Sequence, residues 1–133
     1  MIVDSQVHLW KPESPERPWP PGGADRAQLK YPFSYAMMLK EMDSAGVGAA
    51  ILVPPTWEGA RNDYALEAVR KHPRRFAIMG RIELEKPESR ALIPGWRDQP
   101  GMMGFRISFL GAQKNRISDG TADWFWPQAE PRS

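Results

Sequence analysis

Short apolar runs with a period of two alternate along this chain with segments whose apolar positions recur every three to four residues, and proline or glycine marks most of the switches. In the first run Ile2, Asp4, Gln6 and His8 share one face of a strand, and Val3, Ser5 and Val7 share the other. That strand ends polar on one side. Gln6 and His8 are two residues apart, so their Cα atoms lie about 6–7 Å from each other and their side chains can converge on one ion or substrate group. Prolines 12, 15, 18, 20, 21 and 32 with Gly22 and Gly23 make the stretch 11–33 a long loop. Ser34 is placed to cap a helix with apolar positions Tyr35, Met38, Leu39 and Met42, which Gly46 can close. Ala49–Val53 reads as a buried strand stopped by Pro54-Pro55.

The same alternation continues. Asn62 can cap a helix with the stripe Ala65, Ala68, Val69 and His72, which ends before Pro73. Phe76–Leu84 predicts a third strand, and Pro87–Trp96 a poorer third helix interrupted at Pro94-Gly95. Met103–Leu110 predicts a fourth strand with Phe105, Ile107 and Phe109 outward and Gly104, Arg106 and Ser108 inward. A fourth helical segment, 122–129, carries Trp124 and Trp126 as expected core residues and is broken by Pro127. Four βα units in series indicate an α/β fold with a parallel sheet and right-handed crossovers.

Composition narrows the class. At 133 residues with 41% hydrophobic and 26% charged positions, the chain has the make-up of an ordinary globular domain, so residues 1–133 are expected to form one unit. The 18 Lys and Arg are interspersed with 16 Asp and Glu for a net charge of +2, which is not the basic stripe that nucleic acid requires. With no cysteine there is no disulfide or thiolate chemistry, and a cytoplasmic setting is expected. No apolar run reaches the ~20 residues of a membrane span.

The motif Asp4-x-Gln6-x-His8-Leu9-Trp10 resembles strand one of the amidohydrolase superfamily, in the branch of small metal-dependent hydrolases and of sugar or dicarboxylate lactonases. Arg17-Pro18-Trp19-Pro20, Ala45-Gly46-Val47 leading to Ile51-Leu52-Val53-Pro54, Asn62-Asp63-Tyr64, His72-Pro73, and Gly104-Phe105-Arg106 follow in the family's order. The resemblance implies a TIM (β/α)₈ barrel with its active site at the carboxyl ends of the strands. Such barrels take about 250 residues, so the four units look like the N-terminal half of one. The resemblance also implies a divalent metal, zinc by ligand chemistry, at the strand-one pair His8 and Gln6. Gln6 stands where the family has histidine, and an amide oxygen is a much poorer zinc ligand than imidazole. Lactonases of the same branch are thought to polarise the carbonyl by hydrogen bonds with no metal, so both readings stay open. The remaining family ligands and the catalytic aspartate belong to strands five to eight.

On this basis His8 is the expected catalytic residue, polarising the carbonyl of a lactone or similar cyclic ester or amide. Arg106 is expected to clamp a substrate carboxylate, and Arg81 is a second candidate; the alternative for each is a buried salt bridge, with Glu83 or Glu85 nearby, and for Arg81 that salt bridge is the expectation. Trp10, Trp19 and Trp57 either line an apolar pocket mouth for a small-molecule substrate or pack the long loop onto the barrel top. Two rivals stand beside the hydrolase. One is a catalytically silent half-barrel, two copies of which could pair edge to edge as a homodimer. The other is a self-sufficient open α/β domain that binds a small ligand at its strand ends.

Overall fold

The computed structural model describes residues 1–130; Pro131, Arg132 and Ser133, part of the expected 1–133 unit, lie outside the described residues. Four strands, β1 (Ile2–Val7), β2 (Val47–Leu52), β3 (Phe76–Arg81) and β4 (Met102–Arg106), form one parallel sheet in the order β1-β2-β3-β4. An order that never reverses sends every right-handed crossover to the same face, which is the winding of a barrel and not of a doubly wound sheet. The helical face is covered by α2 (Tyr35–Ala45) and α3 (Asp63–Lys71). Ala50, Leu52, Phe76, Ile78 and Met102 of the sheet are buried with Met38, Met42, Ala65, Ala68 and Val69 of those helices.

Local chemistry accounts for the helix that was easiest to predict. Ser34 caps α2, its Oγ accepting from the Met37 N–H at 3.2 Å, and Gly46 closes it in the left-handed region at φ 70°. The third crossover differs from expectation. Two 3₁₀ turns, Pro87–Leu92 and Trp96–Asp98, replace a helix over 87–96. Trp96 is the reason: its Nε1 donates to the Gly104 carbonyl at 2.9 Å, and its ring stacks on Phe105 with centroids 4.4 Å apart. The indole also fills the space a side chain would take at Gly80, where a Cβ would sit 2.7 Å from Trp96 Cζ2.

Other boundaries shift as well. β3 stops at Arg81 and β4 at Arg106, short of the expected Leu84 and Leu110, because pairing runs out where the neighbouring strands end. The loop 11–33 is ordered by a short helix, α1 (Gly23–Arg26), and by Trp10 donating its N–H to the Phe33 carbonyl at 3.1 Å. Of the segment 122–129 only Trp126–Ala129 (α4) is α-helical, and Trp126 is exposed, not core. β1 and β4 are the sheet's edges. Ile2, Val3 and Met103 on them are 61%, 45% and 52% exposed. No helix among the described residues is long and apolar enough to cross a membrane.

Candidate active site

The carboxyl ends of β1, β3 and β4 bring the expected polar residues to one end of the sheet. His8 follows β1 directly, and its Nδ1 lies 2.6 Å from the carbonyl oxygen of Val53 at the end of β2. A carbonyl only accepts, so Nδ1 carries the proton and donates. The other nitrogen, Nε2, then carries the lone pair of the neutral ring. Trp57 packs edge-on against the imidazole with centroids 5.5 Å apart and holds it in that orientation. Polarising a carbonyl, the role expected for His8, therefore requires the imidazolium; the neutral ring accepts a proton or ligates.

Arg106 at the end of β4 reaches across the inner face, and its Nη1 donates to Gln6 Oε1 of β1 at 3.2 Å. Arg81 at the end of β3 donates through Nε to the Pro54 carbonyl and through Nη1 to Ser108 Oγ, the latter at 3.1 Å. Its backbone is fixed by Asn62: Arg81 N donates to Asn62 Oδ1 at 2.7 Å and Asn62 Nδ2 donates to the Arg81 carbonyl at 2.9 Å. Asn62 thus continues the strand pairing and makes no side-chain cap on α3.

The expected salt bridge of Arg81 with Glu83 or Glu85 is absent, because both carboxylates are taken. Glu83 pairs with Lys86 at 2.7 Å, and Glu85 accepts from Arg116 Nε and Nη2 at 2.6 and 2.8 Å. Among the described residues neither Arg81 nor Arg106 has a carboxylate partner. Burial, then the charges of Arg106 and Arg116, push the Arg81 guanidinium down from its ordinary value to about 10. It stays cationic at neutral pH while lacking a counter-charge. Arg81, Arg106, Ser108 and Arg116 line an open cleft of about 570 Å³ together with Glu83 and Glu85. His8 and Gln6 are not in its lining; Arg106 connects the cleft to Gln6.

The three tryptophans are packed against neighbouring rings and backbone. Trp10 and Trp57 are 2% and 5% exposed and meet edge to face with centroids 5.2 Å apart, and Trp10 also lies against Phe33. Trp19 packs onto Gly23, where a Cβ would come within 3.2 Å of it. None of the three lines the cleft. The indole N–H groups of Trp19 and Trp57 are buried without a hydrogen-bond partner.

The pattern of the sequence did not single out the group that fastens the loop. Arg17 is buried and donates through Nε and Nη2 to Glu58 at 3.1 and 3.0 Å, and through Nη1 and Nη2 to Asp63 at 2.8 and 3.2 Å. Glu58 Oε1 also accepts the Lys11 N–H at 2.9 Å. The signal that was present is the Arg17-Pro18-Trp19-Pro20 motif, which marks Arg17 but not its partners.

Residues 3–131 match the profile of the amidohydrolase family described as Amidohydrolase. The chain belongs to that family. No curated protein sequence matches it. Among solved structures it is similar to a probable 2-pyrone-4,6-dicarboxylic acid hydrolase from Acinetobacter baumannii with citric acid bound, at TM-score 0.70 and 15% identity, covering 96% of this chain and 45% of that one. It is also similar to an amidohydrolase from Burkholderia multivorans with bound zinc, at TM-score 0.66 and 22% identity, covering 97% and 46%. The four βα units of this amidohydrolase are thus about half of a (β/α)₈ barrel, and the chain spans less than half the length of these structures.

A family that includes a zinc-bound member raises the question of fit. His8 suits a metal, since a ligating imidazole commonly donates its other N–H to a carbonyl, as His8 does to Val53. Gln6 does not suit one: it offers a neutral amide oxygen already engaged by a guanidinium. No group of three His, Cys, Asp or Glu able to hold a metal exists among the described residues. The strand-one pair of this chain does not fit zinc.

Proposed function

We propose that this chain is the substrate-binding half of an amidohydrolase that opens a lactone, or a similar cyclic ester or amide, bearing a carboxylate. The observation that carries this reading is the pair Arg81 and Arg106: two guanidiniums at the ends of adjacent strands, lining one cleft, with no carboxylate partner among the described residues. A partly buried cation that is not paired in the protein is stabilised by an anionic ligand. In hydrolysis, water adds to the carbonyl carbon, the ring C–O or C–N bond breaks, and the leaving atom takes a proton. In this reading His8 handles a proton through Nε2, donating to the carbonyl oxygen as imidazolium and accepting when neutral, and the hold of Val53 on Nδ1 supports that role by leaving Nε2 free. The group that activates water belongs to the other half of the barrel.

Calorimetric titration of the chain with citrate and with 2-pyrone-4,6-dicarboxylate tests this reading. Arg81→Met and Arg106→Met are each expected to weaken binding about 10-fold or more, since a hydrogen bond to a charged group contributes roughly 1.5–3 kcal/mol. Equal affinity in the double variant, or equal binding of the dimethyl ester, would overturn it.

A second reading is favoured by one observation, the exposed Ile2, Val3 and Met103 on the two edge strands. Apolar residues on unpaired edges suit an assembly unit in which a partner half-barrel, including a second copy, completes the sheet. Sedimentation velocity separates the cases: a monomer across the micromolar range speaks against self-assembly.

A further inference from the structure

We propose that Gln6 is the positioning residue for Arg106 and not a metal ligand, so that a guanidinium supplies the positive charge at the strand-one pair and a divalent cation is excluded from it. β1 and β4 are opposite edges of the four-stranded sheet, yet Arg106 Nη1 reaches Gln6 Oε1 at 3.2 Å, so this contact bridges the inner face from edge to edge. The choice of side chain decides what the bridge does. A carboxylate at position 6 would pair with Arg106 and cancel its charge. A histidine would offer one nitrogen and, beside His8, a metal-binding pair. The amide oxygen accepts one N–H of the guanidinium and leaves its charge uncompensated. Gln6 therefore holds Arg106 in place for an anion without consuming it.

The rest of the strand end does not make up for Gln6. Asp4 Oδ1 accepts the Gln6 N–H at 3.2 Å, and His8, with Nδ1 donating to Val53, offers Nε2 as a single imidazole ligand with no second one beside it. A dication at Gln6 Oε1 would meet the guanidinium that already occupies it, and like charges repel. The orienting role of Gln6 rests on Arg106 taking a carboxylate; the exclusion of metal does not.

Cobalt(II) titration of the full chain, followed by its visible spectrum and by equilibrium dialysis, tests the exclusion with a readout independent of turnover. The wild-type chain is expected to show no cobalt bound through His8. Gln6→His should bind cobalt, and Gln6→His combined with Arg106→Met should bind it about 10-fold more tightly, because a nearby positive charge has been removed. His8→Ala should abolish binding in both. Stoichiometric binding by the wild type that His8→Ala removes would overturn the proposal. So would equal affinity of the two Gln6→His variants, which shows that Arg106 does not occupy a cation position, or no binding by either, which shows that Gln6 and Arg106 are not what keeps a metal out. Far-UV circular dichroism confirms that each variant folds. Citrate titration of Gln6→Glu tests the orienting role: affinity should fall about 10-fold as the new carboxylate neutralises Arg106. If the wild type binds no citrate, the substrate reading fails while the cobalt comparison still decides the exclusion.

Discussion

Replacing Arg17 with methionine isolates the ion cluster that fastens the loop 11–33 over the strand ends. The guanidinium makes four hydrogen bonds, two to Glu58 and two to Asp63. These do not contribute equally. The side chain of Asp63 is 52% exposed and can return to water, whereas that of Glu58 is 3% exposed and cannot. Removing one partner of a buried pair typically costs about 3–5 kcal/mol, mostly because the remaining charge is stranded, while an exposed pair is worth about 0–1 kcal/mol. Glu58 keeps the Lys11 N–H, which places Arg17→Met near the lower end, about 3 kcal/mol. Urea unfolding at pH 7 measures it. Adding Glu58→Gln to Arg17→Met should recover about 1–2 kcal/mol, because the neutral amide can still accept from Lys11 and leaves no buried charge. A loss below about 1 kcal/mol for Arg17→Met, or a double variant as costly as the two singles together, would refute the stranded-charge argument.

Gly80→Ala should destabilise by about 1–3 kcal/mol through overpacking, because its Cβ would lie 2.7 Å from Trp96 Cζ2 and 2.8 Å from Met102 Sδ; the urea midpoint reports it. Asp63 gives a pH prediction. Partial burial alone would raise its carboxyl, but hydrogen bonds from Arg61 and Arg17 hold it down, from 3.8 to about 2. A folded-state value below the unfolded one means the stabilisation is present above pH 3.8 and is lost as pH falls toward about 2. Asp63→Asn should flatten the stability curve in that window, as followed by urea unfolding at several pH values.

What the sequence made legible was local. The α2 boundaries follow from Ser34 and Gly46, whose effects act within one turn. The strand cores follow from the period-two pattern in 76–81, where Phe76, Ile78 and Gly80 are buried and Ala77, Met79 and Arg81 are not. The third crossover departs from the predicted helix because its decisive contact, Trp96 to Gly104, depends on where β4 lies and not on periodicity. Asn62 has the composition of a cap, yet Arg81, 19 residues away, competes for its amide and takes it. The candidate site residues were legible by type and strand position, their partners were not. Gln6 and Arg106 meet across 100 residues of sequence, and Arg17 and Glu58 across 41. No residue pattern specifies which carboxylate a given arginine will reach.

The open inner face bears on how strongly the site can act. The Gln6–Arg106 contact is exposed in this chain, and water competes for both groups. In the larger barrels that this fold resembles, of which the chain spans 45–46%, further strands occupy the side that is open here. Closing that side lowers the local dielectric, which strengthens an arginine–carboxylate attraction and raises the cost of leaving a guanidinium unpaired. Arg81 already shows the second effect, since its burial beside Arg106 and Arg116 disfavours its charged form. Enclosure would therefore make the two arginines more demanding of an anion. If the proposed site takes an anion such as citrate, the affinity measured on this chain is accordingly a lower bound for an enclosed site, and its loss on raising ionic strength should be steeper here, where the charges face solvent.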